Sequence, residues 1–337
     1  MNGFSSGLQQ FLPGRADLGR WAVTFIVYLL AAKLGQYVYS DLGTAPAFIW
    51  PSTGIALAAA FLWGNRMLSA IAFAAFVASA SFGSSVPVII ASTLGNTLQA
   101  FAGAYMFRLF NFRPNIARLR DTLLLLAAAL VITTISPTVS IAVRALLGNS
   151  VENAAEIWRM IWAGGIWSVL IITPLITCFW QDRRIYRDRM IEHTLAILSI
   201  AVLTYALFWG TTGSIGGISL IYILLIPFFW IALRFSPRST ALALFVASVI
   251  AISGAIHQAP ASDTVGNWLF QTQLLIEIFA VIFLIVSSAV EDRRTATAEL
   301  QAHVDQLESA ETKISEQDSA KSDFLAILSH ELRNPLA

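Results

Sequence analysis

A succession of long apolar segments is the feature that most restricts how this chain can fold. A helix needs about 20 mostly apolar residues to cross a bilayer, and it satisfies its backbone hydrogen bonds within its own segment. We therefore predict an all-α protein, a polytopic membrane helix bundle of about ten transmembrane helices. The ten apolar runs lie at 20–39, 46–63, 67–84, 87–108, 121–147, 157–180, 191–209, 218–234, 238–256 and 268–290.

The composition supports a membrane protein. Only 12% of the residues are charged and 57% are hydrophobic, whereas soluble domains carry roughly 25% charged residues. The net charge of +1 provides no basic field for nucleic acid, so we expect membrane lipids and no nucleic acid as partners. Cys178 is the single cysteine, and we expect neither a metal site nor a cleaved signal peptide.

The loops between the runs indicate the orientation. If the N-terminus lies in the cytoplasm, the outer loops read "SDLGTAP", "GSSVP", "LGNSVENAAE", "GTTGSIGG" and "HQAPASDTVGN", and none of them contains Lys or Arg. Cytoplasmic loops of membrane proteins are enriched in Lys and Arg. We predict ten spans with both termini in the cytoplasm, and an eight-span version with two re-entrant runs stays open. The inner loops and ends hold Arg15, Arg20, Arg66, Arg113, Arg118, Arg120, Arg183, Arg184, Arg187, Arg189, Arg238, Arg293 and Arg294.

Two ionisable residues lie within predicted spans. Lys33 belongs to the first run and Glu277 to the last. A charged group in hydrocarbon is costly, so it pairs, faces a cavity or extends toward the interface. A structural Lys33–Glu277 pair and a ligand or proton site are the two interpretations.

Further polar and aromatic residues lie near the outer ends of the spans. Arg144 and Arg159 have Glu152 and Glu156 nearby, which favours a surface ion-pair cluster over a binding site. Trp158, Trp162 and Trp167 crowd one span. Because tryptophan is enriched at membrane interfaces, an aromatic belt is favoured over an aromatic ligand cage.

One pair of amides lies deeper in the fourth run. We expect Asn96 and Gln99 to form hydrogen bonds with neighbouring helices, because polar side chains commonly link helices in this way.

Several blocks of the membrane region resemble a known family. "FIWPSTGIALAAAFLWGNRML" at 48–68, "IITPLIT" at 171–177, "ALRFSPRSTALAL" at 232–244 and "FQTQLLIEIFAVIFL" at 270–284 are similar in order and spacing to the membrane-associated sensor (MASE) family, first type. The resemblance implies a sensory input module attached to kinases or diguanylate cyclases. Members often carry Gly-Asp before the second block, whereas this chain has Gly164-Gly165, so any role of that acid is absent here.

The composition changes after Val290. Residues 291–321 hold twelve charged residues and no Gly or Pro, which predicts a soluble helix. With Leu300 as d of a heptad, the a and d positions form a coiled-coil seam with polar residues in its middle. A plain amphipathic helix is the alternative. The seam positions are Leu300, Val304, Leu307, Glu311, Ile314, Asp318, Lys321, Leu325, Leu328 and Leu332.

The same heptad frame predicts an exposed histidine. His330 falls at an f position, which faces away from a partner helix, and Glu331 follows it. A neutral imidazole can attack a γ-phosphate, and a neighbouring carboxylate can accept its proton. Pro335 has no N–H and is expected to kink the helix one turn later.

The closing peptide resembles a second family. "KSDFLAILSHELRNPLA" at 321–337 is similar to the H-box of bacterial sensor histidine kinases. The resemblance implies that His330 is the phospho-acceptor, Glu331 the acid/base, and Asn334 a contact of the ATP-binding domain. The intact kinase requires ATP and Mg²⁺, whose binding motifs are not found in 1–337, so we expect this chain to be a fragment that is inactive alone.

We therefore predict a sensor histidine kinase of a two-component system in the bacterial inner membrane. It acts as a homodimer through the helix at 291–332 and passes phosphate to a response-regulator Asp. The stimulus is a small molecule or a membrane protein. A transporter-like or channel-like domain coupled to signalling is the alternative, and a plain membrane anchor needs far fewer spans. The predicted segments are a cytoplasmic 1–19, a sensory 20–290, a linker 291–321 and the start of the phospho-acceptor domain at 322–337.

Overall fold

The computed structural model is built almost entirely of helices. It has a single two-stranded antiparallel pair in the part described, in which Ser214 faces Ser219 and Ile215 faces Ile218. The all-α membrane fold predicted from the apolar runs is confirmed. The structure describes residues 14–41, 49–147, 154–181, 189–210, 214–215, 218–258 and 265–333.

Eleven α-helices are found in the described residues, and each of the ten predicted apolar runs contributes to at least one of them. Short 3₁₀ segments at Arg15–Asp17, Ile132–Thr134 and Leu220–Leu224 precede or interrupt them. The helices are α1 Leu18–Asp41, α2 Ser52–Trp63, α3 Met67–Ser81, α4 Val86–Leu109, α5 Leu119–Val131, α6 Ile135–Leu146, α7 Ala154–Gln181, α8 Met190–Trp209, α9 Leu225–Arg234, α10 Pro237–His257 and α11 Val265–Arg333.

Seven of the apolar helical segments in the described residues are long enough to cross a membrane by length and composition. Three are shorter: α2, α3 and the segment Ile221–Arg234. At about 1.5 Å per residue, the 12 residues of α2 extend roughly 18 Å, well short of a hydrocarbon core about 30 Å thick. The ten-span count therefore stays a prediction for these three helices.

The chain divides into two compact units, Met1–Val290 and Glu291–Ala337. The core of the first unit is rich in alanine, with Ala58, Ala60, Ala70 and Ala74 fully buried. Small residues let helix backbones approach closely, which is how helices associate in lipid. The second unit is the C-terminal part of α11.

Contacts between helix ends show which loops lie together. Arg66 pairs with Asp17 at 2.5 Å, and Arg108 donates to Asn65 Oδ1 at 2.6 Å. The Trp63 and Trp180 rings meet edge to face.

Two further contacts extend this set. The guanidinium of Arg238 lies 4.1 Å from the Phe179 ring centroid, and Arg234 pairs with Glu192 at 3.0 Å. We call this end of the first unit, defined by Asp17, Arg66, Arg108, Arg234 and Arg238, the arginine end. Described helix ends next to several of the loops that the charge pattern predicts to be cytoplasmic therefore meet at one end of the bundle.

Candidate functional site

The N-terminus of α2 lies in the interior of the bundle. Ser168, half-way along α7, accepts a hydrogen bond from Gly54 N–H at 2.7 Å and donates to the Pro51 carbonyl at 3.0 Å. Because Trp63 lies at the arginine end, α2 runs from the middle of the bundle to that end. Proline is tolerated before the first turn of a helix, where its missing N–H leaves no bond unmade.

The crossing of α2 and α7 depends on a glycine. A Cβ atom at Gly54 would lie 2.4 Å from the Ser168 carbonyl oxygen and 2.9 Å from Ile172 Cβ. Thr173 Oγ1 donates to the Gly54 carbonyl at 3.4 Å. The first two sequence blocks, around Gly54 and at 171–177, are therefore packed against each other.

A second helix is interrupted at the same depth. The 3₁₀ segment Ile132–Thr134 separates α5 from α6. Ser136, at the start of α6, donates its N–H to Gln99 Oε1 at 3.2 Å and its hydroxyl to Asn96 Oδ1 at 3.2 Å. The predicted hydrogen bonds of Asn96 and Gln99 to a neighbouring helix are confirmed.

A small cavity lies between these two interruptions, with room for about one water molecule. Gln99, only 5% exposed, makes no hydrogen bond through its amide nitrogen in the part of the chain described. Tyr28 is buried with its hydroxyl next to that of Ser52, the first residue of α2. We call this the midbundle cavity, and it is lined by Tyr28, Thr53, Ala56, Leu57, Asn96, Gln99, Ala100, Ile132 and Val169.

The glycine in place of the family acid borders the same region. A Cβ atom at Gly165 would lie 3.0 Å from Thr133 Cβ and 3.9 Å from Gln99 Nε2. The absence of a side chain at 165 therefore leaves the Gln99 amide nitrogen without a neighbour from α7 to bind.

The two ionisable residues predicted within spans are not brought together. Glu277 on α11 accepts a hydrogen bond from Gln273 Nε2 on its own helix at 2.9 Å. No ion pair links Glu277 to Lys33 among the residues that the structure describes. Neither residue lines the midbundle cavity.

The outer arginines are also separate from the cavity. Arg159 lies 5.8 Å from the Phe270 ring centroid, and the Nε atom of Arg144 is buried without a hydrogen-bond partner in the described residues. No ion pair joins either arginine to Glu156 within that part, and Glu152 lies outside the described residues.

The three tryptophans on α7 have different surroundings. Trp158 stacks on Trp162 at 5.5 Å and donates to Thr138 Oγ1 at 3.1 Å. Trp167 is only 3% exposed and donates to Ser248 Oγ on α10 at 2.8 Å. Trp167 is therefore a buried link between two helices, whereas Trp158 and Trp162 are partly exposed.

The third sequence block connects the arginine end to α11. His193 on α8 lies 3.0 Å from Ser239 Oγ and packs edge to face on Phe235. One turn into α10, Thr240 Oγ1 donates to Ser287 Oγ on α11 at 3.0 Å, and both residues are fully buried. This hydrogen bond ties α10 to the helix that continues toward the C-terminus.

The C-terminal part of α11 carries the predicted phospho-acceptor segment. His330 and Glu331 lie on helical backbone, their side chains are outside the described part, and Asn334 lies outside the described residues. The apolar seam positions are accessible on the single chain, with Leu307 70% exposed. The exposed apolar members are Leu300, Val304, Leu307, Ile314, Leu325 and Leu328.

Sequence reasoning missed several residues in and beside the cavity. Tyr28, Ser52 and Ser168 were not singled out, since one hydroxyl in an apolar run is common in membrane helices. The break before Ser52 was the available signal, because Pro51 and Gly54 stand together in a predicted span.

These features define a polytopic helical membrane protein with a small cavity within its bundle that is lined by apolar side chains and a few polar ones. The MASE1 family model matches residues 20–294, and the chain belongs to this family of membrane-associated sensor domains, which are typical of sensor kinases and other signalling proteins. No curated protein and no solved structure matches the chain.

Proposed function

We propose that this chain is the sensory and signal-transmitting part of a sensor histidine kinase of a two-component system. The exposed apolar seam of α11 carries the proposal, because it leads in one heptad frame to the H-box-like segment at His330. Exposed apolar seams of this kind are covered by a second helix. The partner is a second copy of the chain, which forms a homodimer through 291–332.

The chemistry follows from the two residues at the end of this helix. The imidazole of His330 attacks the γ-phosphorus of ATP, a nitrogen–phosphorus bond forms and ADP leaves. Glu331 orients the ring and accepts its proton. The phosphoryl group then passes to an Asp of a response regulator. ATP and Mg²⁺ are held by an ATP-binding domain, docked near Asn334, whose motifs are not among residues 1–337.

The membrane unit supplies the regulation. In the bacterial inner membrane, with both termini in the cytoplasm, a small molecule or a membrane protein shifts the packing of the bundle. The Thr240–Ser287 hydrogen bond supports a route from the bundle to α11. A change in α11 then alters the position of His330 in the dimer.

Phosphorylation of a single residue tests this proposal. The protein is purified in nanodiscs with radiolabelled ATP and the kinase ATP-binding domain, encoded with the chain or added separately. We expect an acid-labile label that His330→Gln abolishes. His303→Gln is the matched control, since His303 is an exposed histidine on the same helix. Equal labelling of both variants excludes His330 as the acceptor.

A second candidate function has one observation in its favour. The start of α2 inside the bundle, beside the midbundle cavity, resembles the discontinuous helices at transporter binding sites. A transporter must open such a site to both faces of the membrane. A thiol reagent is added first to one side of the membrane and then, in a separate sample, to the other. Labelling of Val169→Cys from both sides would favour transport, and labelling from one side alone would favour sensing.

A further inference from the structure

We propose that the midbundle cavity binds a small uncharged ligand through an oxygen atom that accepts hydrogen bonds from Gln99. The orientation of the Gln99 amide is fixed by its neighbour. Ser136 N–H can only donate, so the atom 3.2 Å from it is the amide oxygen. The amide nitrogen is therefore the free end. Its two N–H groups have no hydrogen-bond partner among the described residues, so they can bind an atom that enters the cavity.

The other polar groups around the cavity add donors. Asn96 uses its oxygen for Ser136 and one N–H for Ser92 Oγ at 3.3 Å, which leaves a second N–H. The hydroxyls of Tyr28 and Thr53 also line the cavity. The free N–H groups of Gln99 and Asn96 favour a ligand with carbonyl, ether or similar oxygen atoms.

The same surroundings disfavour a charged ligand. No Lys, Arg, His, Asp or Glu lines the midbundle cavity in the part described, and a charge buried without a counter-charge is costly. The first amides of α2 offer little to an anion, because Gly54 N–H binds Ser168 Oγ and Thr53 N–H binds the Trp50 carbonyl. The preferred ligand is therefore polar but neutral.

The cavity walls limit the size of the bound group. Ala56, Ala100 and Val169 are small or medium side chains, and the space between them holds about one water molecule. Two wall segments are irregular, the start of α2 and the 3₁₀ segment Ile132–Thr134, and such breaks mark functional sites in membrane bundles. A ligand thus inserts a group no larger than a water molecule, such as a single oxygen atom. That its binding is the stimulus rests on the proposed function.

Protection of an engineered thiol tests binding without ATP or His330, so its result is independent of the kinase proposal. The chain carries the two substitutions Cys178→Ser and Val169→Cys and is held in nanodiscs. The measured quantity is the rate at which methyl methanethiosulfonate labels the introduced thiol. The probes are acetone (an uncharged acceptor), acetate (a charged acceptor) and dimethyl sulfide (uncharged, without oxygen). We expect millimolar acetone to slow labelling and the other two to leave it unchanged.

Variants assign the effect to the Gln99 donors. Gln99→Glu keeps an oxygen for Ser136 N–H and removes both free N–H groups, so the acetone concentration for half-protection rises about tenfold. Thr53→Val, a near-isosteric second variant, weakens protection less. Gln36→Glu is the matched control, since Gln36 is a buried amide bound to the Ala78 carbonyl on α3. Absence of thiol labelling, equal protection by acetate or sulfide, or unchanged protection in Gln99→Glu would overturn the proposal.

Discussion

At the scale of single residues, Gly54 and Ser168 determine how the interrupted helix α2 is held. A helix that begins inside a bundle exposes backbone groups that water cannot reach, and each needs a partner. Ser168, fully buried, supplies both a donor and an acceptor to the start of α2. Gly54 makes this possible, because any side chain would separate the two backbones.

The packing at Gly54 can be tested by substitution. In Gly54→Ala the new Cβ meets backbone atoms of α7 that cannot move freely, and overpacking of this kind costs roughly 1–3 kcal/mol. We expect the unfolding midpoint of the purified protein, followed by fluorescence-detected size exclusion after heating, to fall by several degrees. Gly19→Ala is the control, because a Cβ there has no neighbour within 4 Å. Equal stability of both variants would contradict this account of the crossing.

The sequence predicted some contacts of the cavity and not others. Asn96 and Gln99 were expected to bond to a neighbouring helix because buried amides need partners. Tyr28 and Ser168 were not, because their role depends on which helices meet, and apolar periodicity carries no such information. Lys33 and Glu277 suggested a pair by charge alone, but they lie on helices that the structure does not join through an ion pair.

At the scale of helices, the apolar runs predicted which segments form helices. They predicted the first and last residues of those helices less well. The second run was expected to begin at 46, and α2 begins only at Ser52, directly after Pro51. Pro137 lies in the fifth run. Its ring disturbs the carbonyl four residues earlier, at Thr133, and Ile132–Thr134 is a 3₁₀ segment. Pro174, by contrast, lies within the continuous helix α7.

The C-terminal part of α11 has apolar seam residues that are exposed in the described part of the chain, such as Leu300 and Leu307. In a parallel coiled coil, d positions of the two helices face each other and f positions point apart. We expect Leu307→Cys, in a Cys178→Ser background, to form an intersubunit disulfide under mild oxidation. Ser309→Cys, at f two residues later, should stay monomeric on a non-reducing gel. Crosslinking of both positions to the same extent would favour the plain amphipathic helix.

At the scale of the whole molecule, the charge pattern and the contacts agree about the membrane unit. Described helix ends next to loops that carry arginine meet at the arginine end, through contacts such as Asp17–Arg66 and Phe179–Arg238. The loops without Lys or Arg follow other helix ends. Two of these, at the ends of α8 and α10, meet where Gln258 Nε2 donates a hydrogen bond to the Gly210 carbonyl. Although both helices are short, α2 reaches the arginine end at Trp63 and α3 leads away from it, from Met67 to Ser81.

The sidedness of these loops can be measured by labelling single cysteines in intact cells, again without Cys178. We expect Ser85→Cys and Gln258→Cys to react with a membrane-impermeant maleimide from outside. Asn65→Cys and Arg113→Cys should react only after permeabilisation, because positively charged loops stay in the cytoplasm. The position at 65 decides the span count. If Asn65→Cys stays unlabelled even in permeabilised membranes while Arg113→Cys reacts, α2 and α3 form a re-entrant pair and the protein has eight spans.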